Sequence, residues 1–102
     1  MHSDVNEFSA KIYGFIDTIP KGKVVSYSQV AAICGKPGAA RVVGQIAHFG
    51  PHSLPWHRLL RADGSMAGGY VPGGPDRQAE LLAQEGIIIT NSKVDMVIYQ
   101  WK

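Results

Sequence analysis

A chain of 102 residues with 45% hydrophobic and 18% charged side chains fits one globular domain over residues 1–102, with a modest core that needs neither disulfide nor metal. Its apolar runs are short and broken, which excludes a membrane span, and Met1-His2-Ser3-Asp4-Val5 lacks the basic-then-apolar order of a secretory signal. The formal net charge of +2 excludes a strongly charged chain, and the lone Cys34 excludes an intrachain disulfide and suits a reducing compartment, so a cytoplasmic location is expected.

The charges are segregated. Between Thr18 and Ala62 there is no Asp or Glu, while Lys21, Lys23, Lys36, Arg41, Arg58 and Arg61 all lie there. A face that binds a polyanion needs such a window, because each phosphate neutralised releases condensed counterions. On charge alone, a solvated basic surface with no partner is the alternative.

In chain order, Val5, Phe8, Ile12, Phe15, Ile16 and Ile19 recur at helical spacing, which predicts an amphipathic helix over 4–18. Pro20-Lys21-Gly22 ends it. Ser26-Tyr27-Ser28-Gln29 reads as a capping box, with Ser26 as N-cap, opening a helix that runs to Cys34. Gly35-Lys36-Pro37-Gly38 is a turn, and Ala39–Phe49 is a second helix with Val42, Val43, Ile46 and Ala47 on its apolar side. Two short helices around a glycine-bearing turn suggest helix-turn-helix.

Leu54 to Arg61 reads as a short strand, Ala62-Asp63-Gly64-Ser65 as a turn, and Ala67 to Gly74 as a glycine-rich loop. Pro75 opens a helix through Leu81, Leu82 and Gln84 that Gly86 closes. Ile87-Ile88-Ile89 and Met96-Val97-Ile98-Tyr99, around Asn91-Ser92, are expected to pair as a terminal hairpin. His48, His52 and His57 do not have the spacing of a structural zinc site, so no metal is expected, and no cofactor. Cys34 ends the first helix of the motif and reads as a small buried hydrophobe.

Several blocks occur together in a fixed order. They are Ile19-Pro20-Lys21-Gly22-Lys23-Val24, Ser26-Tyr27 with Val30-Ala31, Gly35 through Gly44, Pro55-Trp56-His57-Arg58, Gly64-Ser65 with Gly68-Gly69-Tyr70, and Glu85-Gly86. In this register the chain resembles the C-terminal DNA-binding domain of the O6-alkylguanine-DNA alkyltransferases over nearly its whole length. Those enzymes carry Pro-Cys-His-Arg where Pro55-Trp56-His57-Arg58 stands, and the cysteine accepts the alkyl group. With tryptophan in the acceptor place, the chain is more similar to the alkyltransferase-like proteins, which bind alkylated guanine without repairing it.

The resemblance implies a small α/β domain with a winged-helix-like helix-turn-helix core. It implies a recognition helix lying in the minor groove of double-stranded DNA, where Ala39, Ala40 and Gly44 allow close approach; Ala40 serves equally well in helix–helix packing. Arg41 matches a finger that fills the gap left by an extruded nucleotide, offsetting part of a cost of a few kcal/mol. Tyr27 matches the tyrosine that crowds the target's 3′ phosphate. Trp56 is expected at the floor of the base pocket or at its edge, where stacking contributes roughly 1–3 kcal/mol. Leu59 offers a backbone carbonyl to the base edge, and Met66 through Gly69 and Tyr70 form the opposite wall.

His57 and Glu85 match the relay that generates a thiolate in the enzymes; with no thiol to activate, they are expected to brace the fold or hold a water. Arg58 is expected to bond carbonyls near the pocket. Two departures accompany the tryptophan. Gly50 replaces a hinge asparagine, and Pro51-His52-Ser53-Leu54-Pro55 is slightly shorter than its counterpart.

The function so implied is a non-enzymatic, monomeric sensor of O6-alkylguanine that flips the base and passes the site to nucleotide excision repair proteins. Two other readings predict different outcomes. An alkyltransferase or glycosylase using another nucleophile would alter the damaged guanine. A sequence-specific helix-turn-helix regulator would prefer an operator to a lesion, although no dimerisation element is evident in the sequence.

Overall fold

Phe8, Ile12 and Ile16 recur on one helical face and are all buried, as is Ile19 just beyond. That stripe fixes α1, Ser3–Thr18, against the rest of the chain. The computed structural model describes residues 3–68 and 71–102.

After α1 the chain turns at Gly22 (φ 87°) and enters β1, Val25–Ser26. Ser26 then caps α2, Tyr27–Ile33. Its Oγ accepts from the Gln29 N–H at 3.1 Å, and the Gln29 Oε1 accepts from the Ser26 N–H at 3.2 Å. Both halves of the predicted capping box are therefore formed.

The end of α2 is a Schellman motif. Gly35 takes φ 97°, its N–H donates to the Ala32 carbonyl, and the Lys36 N–H donates to the Ala31 carbonyl at 2.9 Å. The turn through Gly38 (φ 91°) delivers α3, Ala40–His48. Its inner residues Val43, Ile46 and Ala47 pack with Val30, Ala31 and Cys34 of the preceding helix and turn. The helix-turn-helix is formed as the sequence predicts.

The segment predicted as a strand over 54–61 is different. Trp56–Arg58 is a single turn of 3-10 helix, and only Leu59–Leu60 is extended, as β2. Pro55 explains this, because it has no N–H for a ladder while its carbonyl accepts from the Arg58 N–H at 3.0 Å. β2 pairs in parallel with β1, Val25 opposite Leu59 and Ser26 opposite Leu60. The start of α2 and the Trp56–Arg58 turn are thereby locked side by side.

α4 spans Gly74–Gln84 with Pro75 in its first turn, and Gly86 (φ 90°) closes it. The terminal hairpin exists in another register. β3, Ile89–Thr90, and β4, Lys93–Val94, join through Asn91 (φ 54°) and Ser92 (φ 63°). Ile89 lies opposite Val94, and Thr90 opposite Lys93. Two positive φ values give a turn whose twist suits adjacent strands, so pairing begins at once. Met96–Tyr99 is not the return strand but a helical turn, α5, because the Asp95 carboxylate accepts from the Val97 N–H at 3.0 Å and caps it.

The product is a small α/β domain, mostly helical, with two two-stranded sheets among the described residues. One core cluster joins α1, α2, α3, Trp56 and Leu59; a second gathers Val24, Leu60, Met66, Leu82, Ile87 and Val94. The C-terminus ties back to the motif: Trp101 stacks on Phe15 at 5.4 Å, and its carbonyl accepts from Gln29 Nε2. No helix among the described residues is long and apolar enough to cross a membrane.

Candidate nucleic-acid interface

The outer face of α3 borders a cleft of about 500 Å³. Tyr27 from the start of α2 and Ala40, Arg41 and Gly44 from α3 line it, together with His48 and Phe49. Arg61 and Ala67, which follow β2 in the chain, line it too, and among the described residues no carboxylate does. Two of the six cations of the acid-free window, Arg41 and Arg61, thus lie on one concave surface. Ala40 and Ala39 are half-buried and Gly44 is buried, leaving the helix surface low. Ala39 caps α3 without a side-chain hydrogen bond, so the first-turn N–H groups carry no side-chain oxygen in front of them.

Trp56 does not line this cleft. Its side chain is 4% exposed and belongs to the first core cluster. It borders instead a smaller cavity of about 120 Å³, with His57, Leu54, Val71 and Leu81 among the lining residues. Nε1 of the indole donates to the Pro51 carbonyl at 2.7 Å, and the ring meets Tyr13 edge-on at 6.1 Å. Tyr27 packs against the same cluster.

The neighbouring side chains form a compact ionic network. His57 Nε2 donates to Glu85 Oε2 at 2.8 Å. Arg58 donates to the same carboxylate through Nη2 at 2.7 Å and through Nε at 3.0 Å, and its Nη1 reaches the Ile19 carbonyl at 2.7 Å. Burial alone would raise the Glu85 pKa, but the hydrogen bonds and charges of Arg58 and His57 outweigh it and hold the group at about 2. Every member of the network is therefore satisfied.

Gln78, which the sequence reading passed over, completes the site. It is 1% exposed, in the middle of α4. Its Nε2 donates to the carbonyls of His57 and Leu59, each at 3.0 Å, and its Oε1 accepts from the Gly68 N–H at 2.7 Å. One amide thus ties the Trp56–Leu59 segment to the start of the glycine-rich loop. A glutamine at a core-facing position of an amphipathic helix is the available signal, since a buried polar group requires partners.

The remaining expected residues are placed as follows. Leu59 is buried, with the carbonyl just described. Met66 is buried in the second core cluster. Gly69 and Tyr70 lie outside the described residues. Cys34 is buried, and burial pushes its thiol above the ordinary value, with Lys11 opposing weakly. Among the described residues no group of three or more His, Cys, Asp or Glu is arranged to hold a metal ion.

Comparison with known proteins agrees with this geometry. The family described as "6-O-methylguanine DNA methyltransferase, DNA binding domain" matches residues 7–87. Alkyltransferase-like protein 1 of Schizosaccharomyces pombe is 34% identical over 105 residues, covering 96% of this chain and 97% of that protein. The DNA base-flipping protein of Escherichia coli is 34% identical over 101 residues, covering 94% of this chain and 75% of that one. Among solved structures, that of S. pombe Atl1 in complex with damaged DNA containing O6-carboxymethylguanine superposes with a TM-score of 0.83 at 35% identity, covering 95% and 96% of the two chains. With its helix-turn-helix beside the Pro55–Arg58 turn and a family match over most of its length, this chain belongs to the family of the 6-O-methylguanine DNA methyltransferase DNA-binding domain.

Proposed function

We propose that this protein is a non-enzymatic sensor of O6-alkylguanine in duplex DNA. The observation that carries this reading is the indole of Trp56, buried and hydrogen-bonded beside an intact His57–Glu85–Arg58 network. The arrangement that would activate a thiol is retained as a brace, with an indole in place of the sulfur at position 56. Relatives named for base flipping, and one solved with damaged DNA, support the same assignment.

In this mechanism α3 enters the minor groove by its low surface of Ala39, Ala40 and Gly44. Lys and Arg side chains of the acid-free window neutralise phosphates. Tyr27 crowds the 3′ phosphate of the damaged nucleotide, and Arg41 fills the space it leaves, stacking on neighbouring bases. The extruded guanine is held between Tyr27 and the loop of Met66, Gly69 and Tyr70, with the Leu59 carbonyl at its edge, while Trp56 stays off the cleft and backs Tyr27 from the core cluster they share. Since nothing removes the alkyl group, the occupied site is passed to nucleotide excision repair proteins. Transfer to Cys34 is disfavoured, because a buried thiol with a raised pKa holds less thiolate than an ordinary cysteine.

The test is competition at fixed salt between otherwise identical duplexes containing guanine or O6-methylguanine. The sensor reading predicts clear preference for the lesion, and equal affinity would contradict it. Preference for one undamaged sequence over the lesion would favour a regulator instead.

A further inference from the structure

We propose that Gly50 and Trp56 form a size-matched lock that positions the lesion-binding segment against α3, making Trp56 a positioning residue whose placement depends on the missing side chain at position 50. The functional readout rests on the sensor reading above; the structural readout does not.

A Cβ built on Gly50 would lie 2.5 Å from Trp56 Cζ2 and 3.2 Å from the Ile46 carbonyl oxygen. The first distance is well inside van der Waals contact, so the indole and a side chain at position 50 exclude each other. Gly50 is not among the glycines with positive φ. Backbone conformation therefore does not demand glycine there; space does.

The indole has little freedom to retreat. It is 4% exposed, its Nε1 is held by the Pro51 carbonyl at 2.7 Å, and Tyr13 abuts its ring. Both anchors, Gly50 and Pro51, belong to the short connection leaving α3, whose last turn supplies the Gly50 N–H bond to the Ala47 carbonyl at 3.2 Å. The ring thus spans from the end of α3 to the Trp56–Arg58 turn, joining the helix assigned to the groove and the turn assigned to the lesion.

Gly50→Ala forces the indole off the Pro51 carbonyl or pushes the end of α3 away. Either change loosens the relation between groove docking and lesion holding, while the phosphate-facing cations stay in place. The expected result is a roughly tenfold fall, about 1.4 kcal/mol, in the ratio of lesion to undamaged affinity. Binding to undamaged duplex is expected to fall far less than binding to the lesion, with its salt dependence unchanged, and the Trp56 indole N–H resonance to shift.

The decisive comparison is the double-mutant cycle with Trp56→Phe. A phenyl ring ends short of the Cζ2 position, so Gly50→Ala should change the binding ratio less than about twofold in that background. Equal losses in the two backgrounds, or an unmoved indole resonance, overturn the lock. If Gly50→Ala does not fold, folding of the Gly50→Ala/Trp56→Phe protein supports the lock, and failure of both overturns it. Should the unmodified protein show no preference for damaged DNA, the sensor reading fails on its own, and the indole resonance still decides the lock.

Discussion

Arg58→Ala tests whether the ionic network is a brace. The wild-type guanidinium is 11% exposed and faces a carboxylate that is also 11% exposed, at 2.7 Å. Truncation leaves Glu85 with His57 as its remaining side-chain partner and removes the bond to the Ile19 carbonyl. Breaking a buried pair from one side costs about 3–5 kcal/mol. The pKa of Glu85, lowered by Arg58 and His57 together, gives a similar scale for the network as a whole. Lowering Glu85 from 4.5 to about 2 corresponds to on the order of 2–3 kcal/mol of stabilisation at neutral pH, after allowance for partial exposure.

The sign follows from the depressed folded-state pKa. This stability is fully present above about pH 4.5 and is lost as pH falls towards 2. Urea unfolding at pH 7 should therefore show Arg58→Ala weaker by about 3 kcal/mol with an unchanged m-value. Across pH 4.5 to 2 the variant should lose less stability than wild type, because Glu85 no longer has its strongest partner. Arg58→Lys should not restore the loss, since an ammonium cannot reproduce the fork. A loss below about 1 kcal/mol, or an acid limb identical to wild type, would refute the brace.

Arg41 is exposed on the first turn of α3, so Arg41→Ala should leave the melting temperature unchanged. It should weaken binding to O6-methylguanine duplex by roughly 10–100-fold, or about 1.4–2.8 kcal/mol, and affect undamaged duplex less; equal loss on both would mark a phosphate contact instead. Gln78→Leu strands two carbonyls and the Gly68 N–H, which should cost about 2–3 kcal/mol in urea unfolding. It should also increase hydrogen exchange at Gly68, and unchanged exchange there would show that the amide does not hold the loop.

The parts legible in the sequence were those set by local chemistry. The apolar periodicity from Val5 to Ile19, the Ser26/Gln29 box and the glycines at 35, 38 and 86 act within a few residues of themselves, and each produced the predicted element. The misread parts depended on partners distant in sequence or on one competing local signal. Leu54–Arg61 is apolar enough for a strand, yet Pro55 and the parallel pairing with Val25 confine extension to Leu59–Leu60. Met96–Tyr99 is equally apolar, but Asp95 immediately before it is an N-cap, and that residue was the overlooked cue.

At the site, the helix-turn-helix placed Tyr27, Ala40, Arg41 and Gly44 along one cleft. The core-facing position of Gln78 marks a buried polar group, but its partners are carbonyls roughly twenty residues upstream, which the sequence does not name. From sequence, Gly50 reads only as the replacement of a hinge asparagine. Its spatial reason appears once Trp56 is seen folded against it.

The central claim is recognition without transfer. It is tested most directly by incubating the protein with a stoichiometric duplex carrying one O6-methylguanine and weighing both molecules afterwards. An unchanged protein mass and full recovery of O6-methylguanine are predicted. A protein heavier by one methyl group, a restored guanine or an abasic site would contradict the account.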